Sequence, residues 1–326
     1  MGAFWKNLAR LIAAPVILLA LSLPALTADH SIKSAYRLTF TSIAVTKGDF
    51  AEKYDLAIKP ITFPTGIEIN EALLTGSVDV GEVGIAPLAT LLTRTSDVVA
   101  VGVTDIGGGR YKTVVRKESP YKSMDDLLGK KVAIKVGSGN YAAFLTYIKS
   151  RGWKESDFQI VNAGDQEAIA ALTEGSVDGV IYWEPIVSTL IAKGIARPIF
   201  SFKGVVNNPT FLVMPRKFVE NERETAIRFI AAYMDTQELL STDVPAAAKL
   251  VVKGMSASGQ KVDPKVIELA IPSVDYKIEM GSQVIADEKA TWQLLKDTGK
   301  LRGDEPDWSV AFDGSLIEAA KKLRGE

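Results

Sequence analysis

The sequence predicts an α/β protein of two similar lobes. Three observations carry this. Short β-rich runs alternate with helical patterns from Tyr36 onward, the signature of parallel βαβ units. The stretch Gly175-Ser176-Val177-Asp178, running on to Tyr182-Trp183-Glu184-Pro185, repeats Gly76-Ser77-Val78-Asp79, which runs on to Gly84-Ile85-Ala86-Pro87. The 326 residues also exceed what one hydrophobic core usually organises.

Residues 1–28 read as a secretory signal peptide. Lys6 and Arg10 precede an apolar run from Leu11 to Leu23 and a small-residue region ending near Ala28. The run is short for a membrane span, and Pro15 and Pro24 weaken an anchor. Cysteine is absent, so stability must come from the core, and there is no cysteine for lipid attachment. The protein is expected to be exported, and soluble once the leader is removed. A formal net charge of −1 argues against nucleic acid as a partner.

Lobe 1 is expected to hold residues 36–113 and 215–326, and lobe 2 residues 114–214. The first strand is read as Arg37 to Phe40, with Thr41 and Ser42 at its carboxyl end. A second strand, Ala57 to Phe63, turns through Pro64-Thr65-Gly66 into a helix from Ile67 to Leu74. A helix from Pro87 and a strand from Val98 to Val103 lead to Gly107-Gly108-Gly109-Arg110, a tight loop with close backbone approach. Tyr111 to Arg116 leaves the first lobe, and Lys131 to Val136 restarts the strand pattern. Gly137-Ser138-Gly139-Asn140-Tyr141 opens a helix to about Arg151, and strand Phe158 to Val161 precedes the second repeat. Two strands follow, Ile195 to Phe202 and Thr210 to Met214, the latter crossing back. Beyond Pro215 the pattern is helical, clearest at Ala226 to Leu240, Ala246 to Lys253 and Ile285 to Lys296.

Each repeat joins a strand end, a loop and a helix start, where open α/β sheets bind small ligands. Ser138, Gly139 and Asn140 offer backbone amides and polar side chains to an anion, or form an ordinary capped turn. Gly84, Ile85 and Ala86 offer amides from the other lobe, and Thr65 and Gly66 a further helix start. Tyr141 is a candidate stacking partner in the cleft. Trp183 is expected to cover the ligand body or to pack under its loop. Glu184 either pairs with an amine or occupies a helix start that favours negative charge. Arg110 either neutralises an anion or pairs with a nearby acid, and Asn208 either places an amide at the hinge or makes a turn.

The sole histidine, His30, lies at the leader boundary, so general-base histidine chemistry and Cys/His zinc sites are not expected. A P-loop is absent, and Gly107-Gly108-Gly109 does not make the dinucleotide fingerprint. A carboxylate pair drawn from Asp79, Asp178, Glu82 and Glu184 remains formally open, although both Asp residues sit where their strands begin, away from the cleft.

Gly-Ser-Val-Asp in both copies, Gly-Lys-Lys-Val-Ala at 129–133, Trp-Glu-Pro at 183–185 and Pro-Arg-Lys-Phe at 215–218 resemble the nitrate/sulfonate/taurine family of solute-binding proteins of ABC importers. The resemblance covers the whole chain beyond the leader. It implies a two-lobed, type II-like binding-protein fold with two crossover strands as hinge, located in the periplasm. Such a receptor is monomeric, non-enzymatic and without cofactor, and clasps a small sulfonate-type solute, of the taurine or aliphatic sulfonate class, by domain closure. The resemblance further implies delivery to a membrane permease and its ATPase. For an amine-bearing ligand it implies an acidic residue on the strand returning to lobe 1, where this chain has Thr210-Phe211-Leu212-Val213. The alternatives are an exported binding protein or enzyme for a heteroaromatic of the thiamine-precursor type, and a periplasmic sensor module.

Overall fold

The computed structural model describes residues 29–136, 138–297 and 299–326, so the expected leader and Gly137 lie outside the described residues. The first half runs β1 (His30–Tyr36), α1 (Phe40–Lys47), β2 (Leu56–Thr62), α2 (Gly66–Leu74), β3 (Val80–Gly84), α3 (Ile85–Arg94) and β4 (Val98–Ile106). The second runs β5 (Tyr111–Arg116), β6 (Lys131–Ile134), α4 (Gly139–Ser150), β7 (Gln159–Asn162), α5 (Asp165–Glu174), β8 (Gly179–Trp183), α6 (Ile186–Ala192) and β9 (Ala196–Ser201). The chain returns as β10 (Pro209–Pro215). It then continues as α7 (Arg216–Asn221), α8 (Arg223–Thr242), α9 (Val244–Ala257), α10 (Pro264–Ala270), α11 (Ser282–Asp297) and α12 (Ser315–Arg324).

The strands form two five-stranded sheets, ordered β2-β1-β3-β10-β4 and β7-β6-β8-β5-β9. Strand for strand, the second repeats the first. In each, two parallel pairings are followed by one antiparallel strand received from across the molecule, β10 in the first sheet and β5 in the second. Tyr111–Arg116 thus lies wholly in the second sheet and Thr210–Met214 in the first. The two crossovers run side by side. Gly107 and Gly108 donate to the carbonyls of Asn208 and Asn207 at 3.2 and 2.9 Å. A Cβ on Gly108 would sit 1.7 Å from the Val206 carbonyl oxygen, and one on Gly109 2.3 Å from that of Ser273, so only glycine allows this approach.

The sequence repeat is a repeat in geometry. Gly76 and Gly175 take left-handed φ of +67° and +78° where their helices end. Ser77 and Ser176 each donate a hydroxyl to the carbonyl five residues earlier at 3.1 Å. Asp79 accepts from the Lys33 amide at 2.7 Å and its own amide donates to the Lys33 carbonyl at 2.9 Å. Asp178 makes the same pair with Lys131, at 3.0 and 2.8 Å. These aspartates therefore fasten the amino ends of the central strands and aim β3 and β8, with Gly84 and Trp183 at equivalent ends, toward the opposite half.

Alternation on β10 supplies both core layers of the first sheet. Leu212 and Met214 face α8 through Phe229 and Tyr233, while Phe211 and Val213 face Leu88 and Leu91 of α3. The second sheet is covered likewise, by Phe144 and Ile148 on one face and Leu172 and Leu190 on the other.

One element departs from the sequence reading. The first strand ends at Tyr36, and the expected strand Arg37–Phe40 is a turn followed by α1. The physical cause is Thr39, whose hydroxyl accepts from the Ser42 amide at 3.2 Å and caps a helix. Thr41 and Ser42 therefore sit in a first helical turn. Among the described residues, no helix is long and apolar enough to cross a membrane.

Candidate functional site

A cavity of about 260 Å³ lies between the sheets, where strand ends of both halves meet the first crossover. Leu38, Thr39, Phe40, Thr41 and Asp105 line it from the first half. Gly139, Trp183, Glu184 and Pro185 line it from the second, Arg110 and Tyr111 from the crossover, and Met255, Val274 and Tyr276 from the C-terminal helical region.

Five of the expected contact residues reach this cavity: Thr41, Arg110, Gly139, Trp183 and Glu184. Trp183 presents its indole, held against Tyr182 with ring centroids 4.4 Å apart, and Lys135 Nζ stands 6.0 Å from the Trp183 ring centre. Gly139 is bare of side chain because the Tyr111 hydroxyl occupies that space, 2.4 Å from where a Cβ would be. Asn208, with φ of +48°, donates to that hydroxyl at 2.8 Å and so positions Tyr111 without itself lining the cavity.

Two charged candidates are already paired. Arg110 Nη2 lies 2.5 Å from Asp105 Oδ1. Glu184 is more fully engaged: Oε1 meets Lys112 Nζ at 2.7 Å and the Ser273 hydroxyl at 3.1 Å, while Oε2 accepts the Ser188 amide at 3.0 Å. That last bond satisfies an orphan amide in the first turn of α6.

The remaining candidates serve the frame. Ser42 donates to the Arg37 carbonyl at 2.7 Å. Thr65 closes a capping box with Glu68, its exposed amide donating to that carboxylate at 3.0 Å, and Gly66 is buried against Pro87. Ser138 caps α4, donating its hydroxyl to Lys135 O at 2.5 Å. Asn140 is buried and donates to Ile181 O at 2.7 Å, tying α4 to the end of β8. Tyr141 turns to Glu155 at 2.8 Å. Gly84, Ile85 and Ala86 begin α3 beside the Arg37 guanidinium, outside the cavity lining.

Sequence reasoning weighed Glu82 only as one member of a carboxylate pair, and the structure places it beneath the floor. Glu82, fully buried on β3, accepts from Thr39 Oγ1 at 2.8 Å and from the Tyr233 hydroxyl at 3.2 Å. Burial, with Asp105 adding like charge, raises its pKa to about 7 against the opposing Thr39 bond and Arg37. Arg37, next to Leu38 of the lining, has a buried Nε without a hydrogen-bond partner. Its signal was present, since an arginine directly follows the first β-rich run, but misplacing that strand hid it. Met255, Val274 and Tyr276 carried no comparable signal.

Two duplicated α/β halves, exchanging one strand each and holding a cavity at their facing strand ends, define the two-lobed fold of periplasmic binding proteins. The crystal structure of the periplasmic aliphatic sulphonate binding protein SsuA from Escherichia coli has that fold. It matches with a TM-score of 0.72 at 22% identity, covering 86% of this chain and 97% of that one. The chain belongs to the NMT1/THI5-like family, whose model matches residues 38–243. A putative aliphatic sulfonates-binding protein of Escherichia coli strain K12 is 27% identical over 195 residues, 60% of this chain and 61% of that protein. The taurine-binding periplasmic protein of the same strain is 27% identical over 212 residues, 64% of this chain and 66% of that protein. The aligned part thus spans less than two thirds of either relative.

Proposed function

We propose that this protein is the periplasmic solute-binding component of an ABC importer and holds a small sulfonate-type anion between its two halves. The observation that carries the reading is the cavity itself, lined from both halves and from the crossover between them. Leu38–Thr41 form one side and Gly139 and Trp183 the other. The positive amino ends of α3 and α4, with Arg37 and Lys135 nearby, make the surroundings favourable to negative charge. The relatives named for sulfonates and taurine agree with that chemistry.

Binding is by closure. The bodies that move are the two sheets with their helices, swinging on the crossovers at 107–110 and 202–208, and the closed form is the one presented to a permease and its ATPase. The receptor acts as a monomer in the periplasm and performs no covalent step. The chain has no cysteine, His30 hydrogen-bonds Thr225 at the far end of β1 from the cavity, and Asp79 and Asp178 are committed to strand amino ends.

A second reading is favoured by the aromatic share of the lining, Phe40, Tyr111, Trp183 and Tyr276: a neutral heteroaromatic of the thiamine-precursor type. Native mass spectrometry of the purified protein followed by a thermal-shift panel separates the two. A ligand at a hundred times its dissociation constant adds about 2.7 kcal/mol of apparent stability. Sulfonates are expected to shift melting. A shift by neutral pyrimidines alone would replace the anion reading with the second.

A further inference from the structure

We propose that the segment from Met255 to Tyr276, beyond the residues matched by the family model, sets ligand preference: it gives the cavity an apolar wall that selects an anion with an uncharged hydrocarbon body over a zwitterion. This rests on the anion reading above.

The family match ends at residue 243, whereas Met255, Val274 and Tyr276 stand in the cavity lining. The wall is fixed. Ile106 donates to Asp275 O at 2.8 Å, Ser273 bonds Glu184 at 3.1 Å, and α10 packs on α6. The Tyr276 hydroxyl is taken up by Ile271 O at 3.1 Å, so the residue offers its ring to the cavity. Met255 adds an adaptable thioether surface.

The electrostatics of the lining point the same way. Its two carboxylates, Asp105 and Glu184, are each 2% exposed in their side chains and each closed by a cation, Arg110 at 2.5 Å and Lys112 at 2.7 Å. Glu82, the third acid nearby, lies beneath the lining on Thr39 and Tyr233. An entering ammonium would lose its water, find no free carboxylate and stand near Arg110 and Lys112. A methyl group in the same place would meet Met255 and the aromatic rings.

Calorimetry on the purified protein with 1-propanesulfonate and its amino isostere taurine tests this, with 4-aminopyrimidine as the neutral probe. Propanesulfonate is expected to bind at least about tenfold more tightly than taurine. Met255→Ala and Tyr276→Leu are each expected to lower propanesulfonate affinity about threefold or more and to narrow the ratio. Equal affinities in the parent, or a ratio unmoved in a variant shown by circular dichroism to fold, would overturn the inference while leaving the anion reading in place. If neither variant folds, the parent ratio decides. Binding of 4-aminopyrimidine with neither sulfonate would overturn the anion reading and this inference with it.

Discussion

Trp183 and Glu184 stand side by side at the end of β8, and their neighbours give them different work. Trp183 faces the cavity, so Trp183→Ala is expected to weaken ligand affinity about tenfold or more with a small loss of melting temperature, as read by calorimetry and thermal scanning. Glu184 is committed to Lys112, Ser273 and the Ser188 amide. Glu184→Gln keeps an acceptor for the amide but leaves Lys112 without its counter-charge. The expected cost is about 1–3 kcal/mol of stability with little change in affinity. A selective loss of affinity for amine-bearing ligands with melting unchanged would instead assign Glu184 to the ligand. Glu82 yields a pH prediction. Its folded pKa of about 7 lies above the ordinary carboxylate value, so its ionised form is the one the fold penalises. Its contribution to stability is whole below pH about 4.5, declines as pH rises through about 7 and is lost above. Glu82→Gln should flatten that decline by on the order of 3 kcal/mol in denaturant titrations across this range. A parent and variant with parallel pH profiles would show Glu82 ionised at an ordinary pKa. The sequence marked Trp183 through its place after a repeated strand. It could not show that Glu184 was paired, because Lys112 and Ser273 lie 72 and 89 residues away and meet it only through folding.

At the scale of elements, the repeat was the most legible feature because Gly-Ser-Val-Asp performs one local task twice. Its glycine ends a helix, its serine bonds back to it, and its aspartate fastens a neighbouring strand. The glycine loop was legible for a similar reason, since a run of glycines signals backbone approach. Gly108→Ala tests it: the new Cβ would strike the Val206 carbonyl, which is backbone and cannot swing aside. We expect a loss of about 3 kcal/mol, or no folded protein, in thermal melts. An unchanged melting temperature would contradict the close crossover. The first strand was misread because Leu38 and Phe40 continue the β-like pattern past Tyr36, while the Thr39 cap that ends it depends on one hydroxyl. Within the stretch beyond Pro215 that reads as helical, α10 and α12 do not stand out as separate segments. Their few turns give weak periodicity, and their stability comes from packing on α6, α8 and α9.

For the whole molecule, duplication explains how one ligand can be met from two sides. Each half delivers equivalent strand ends, and the exchanged strands β5 and β10 place both crossovers behind the cavity. Closure about them predicts a smaller radius of gyration in small-angle scattering once ligand saturates; an unchanged value would argue for a rigid receptor. What the sequence left unread was the C-terminal wall, because Met255, Val274 and Tyr276 look like ordinary core residues until the helices bring them across the cleft. Hydrogen–deuterium exchange with and without a saturating alkanesulfonate tests the central claim most directly. An anion held between the halves predicts slowed exchange at 38–43 in the first half together with 139–144 and 183–189 in the second. Protection confined to one half, with calorimetry confirming that the sulfonate is bound, would contradict it.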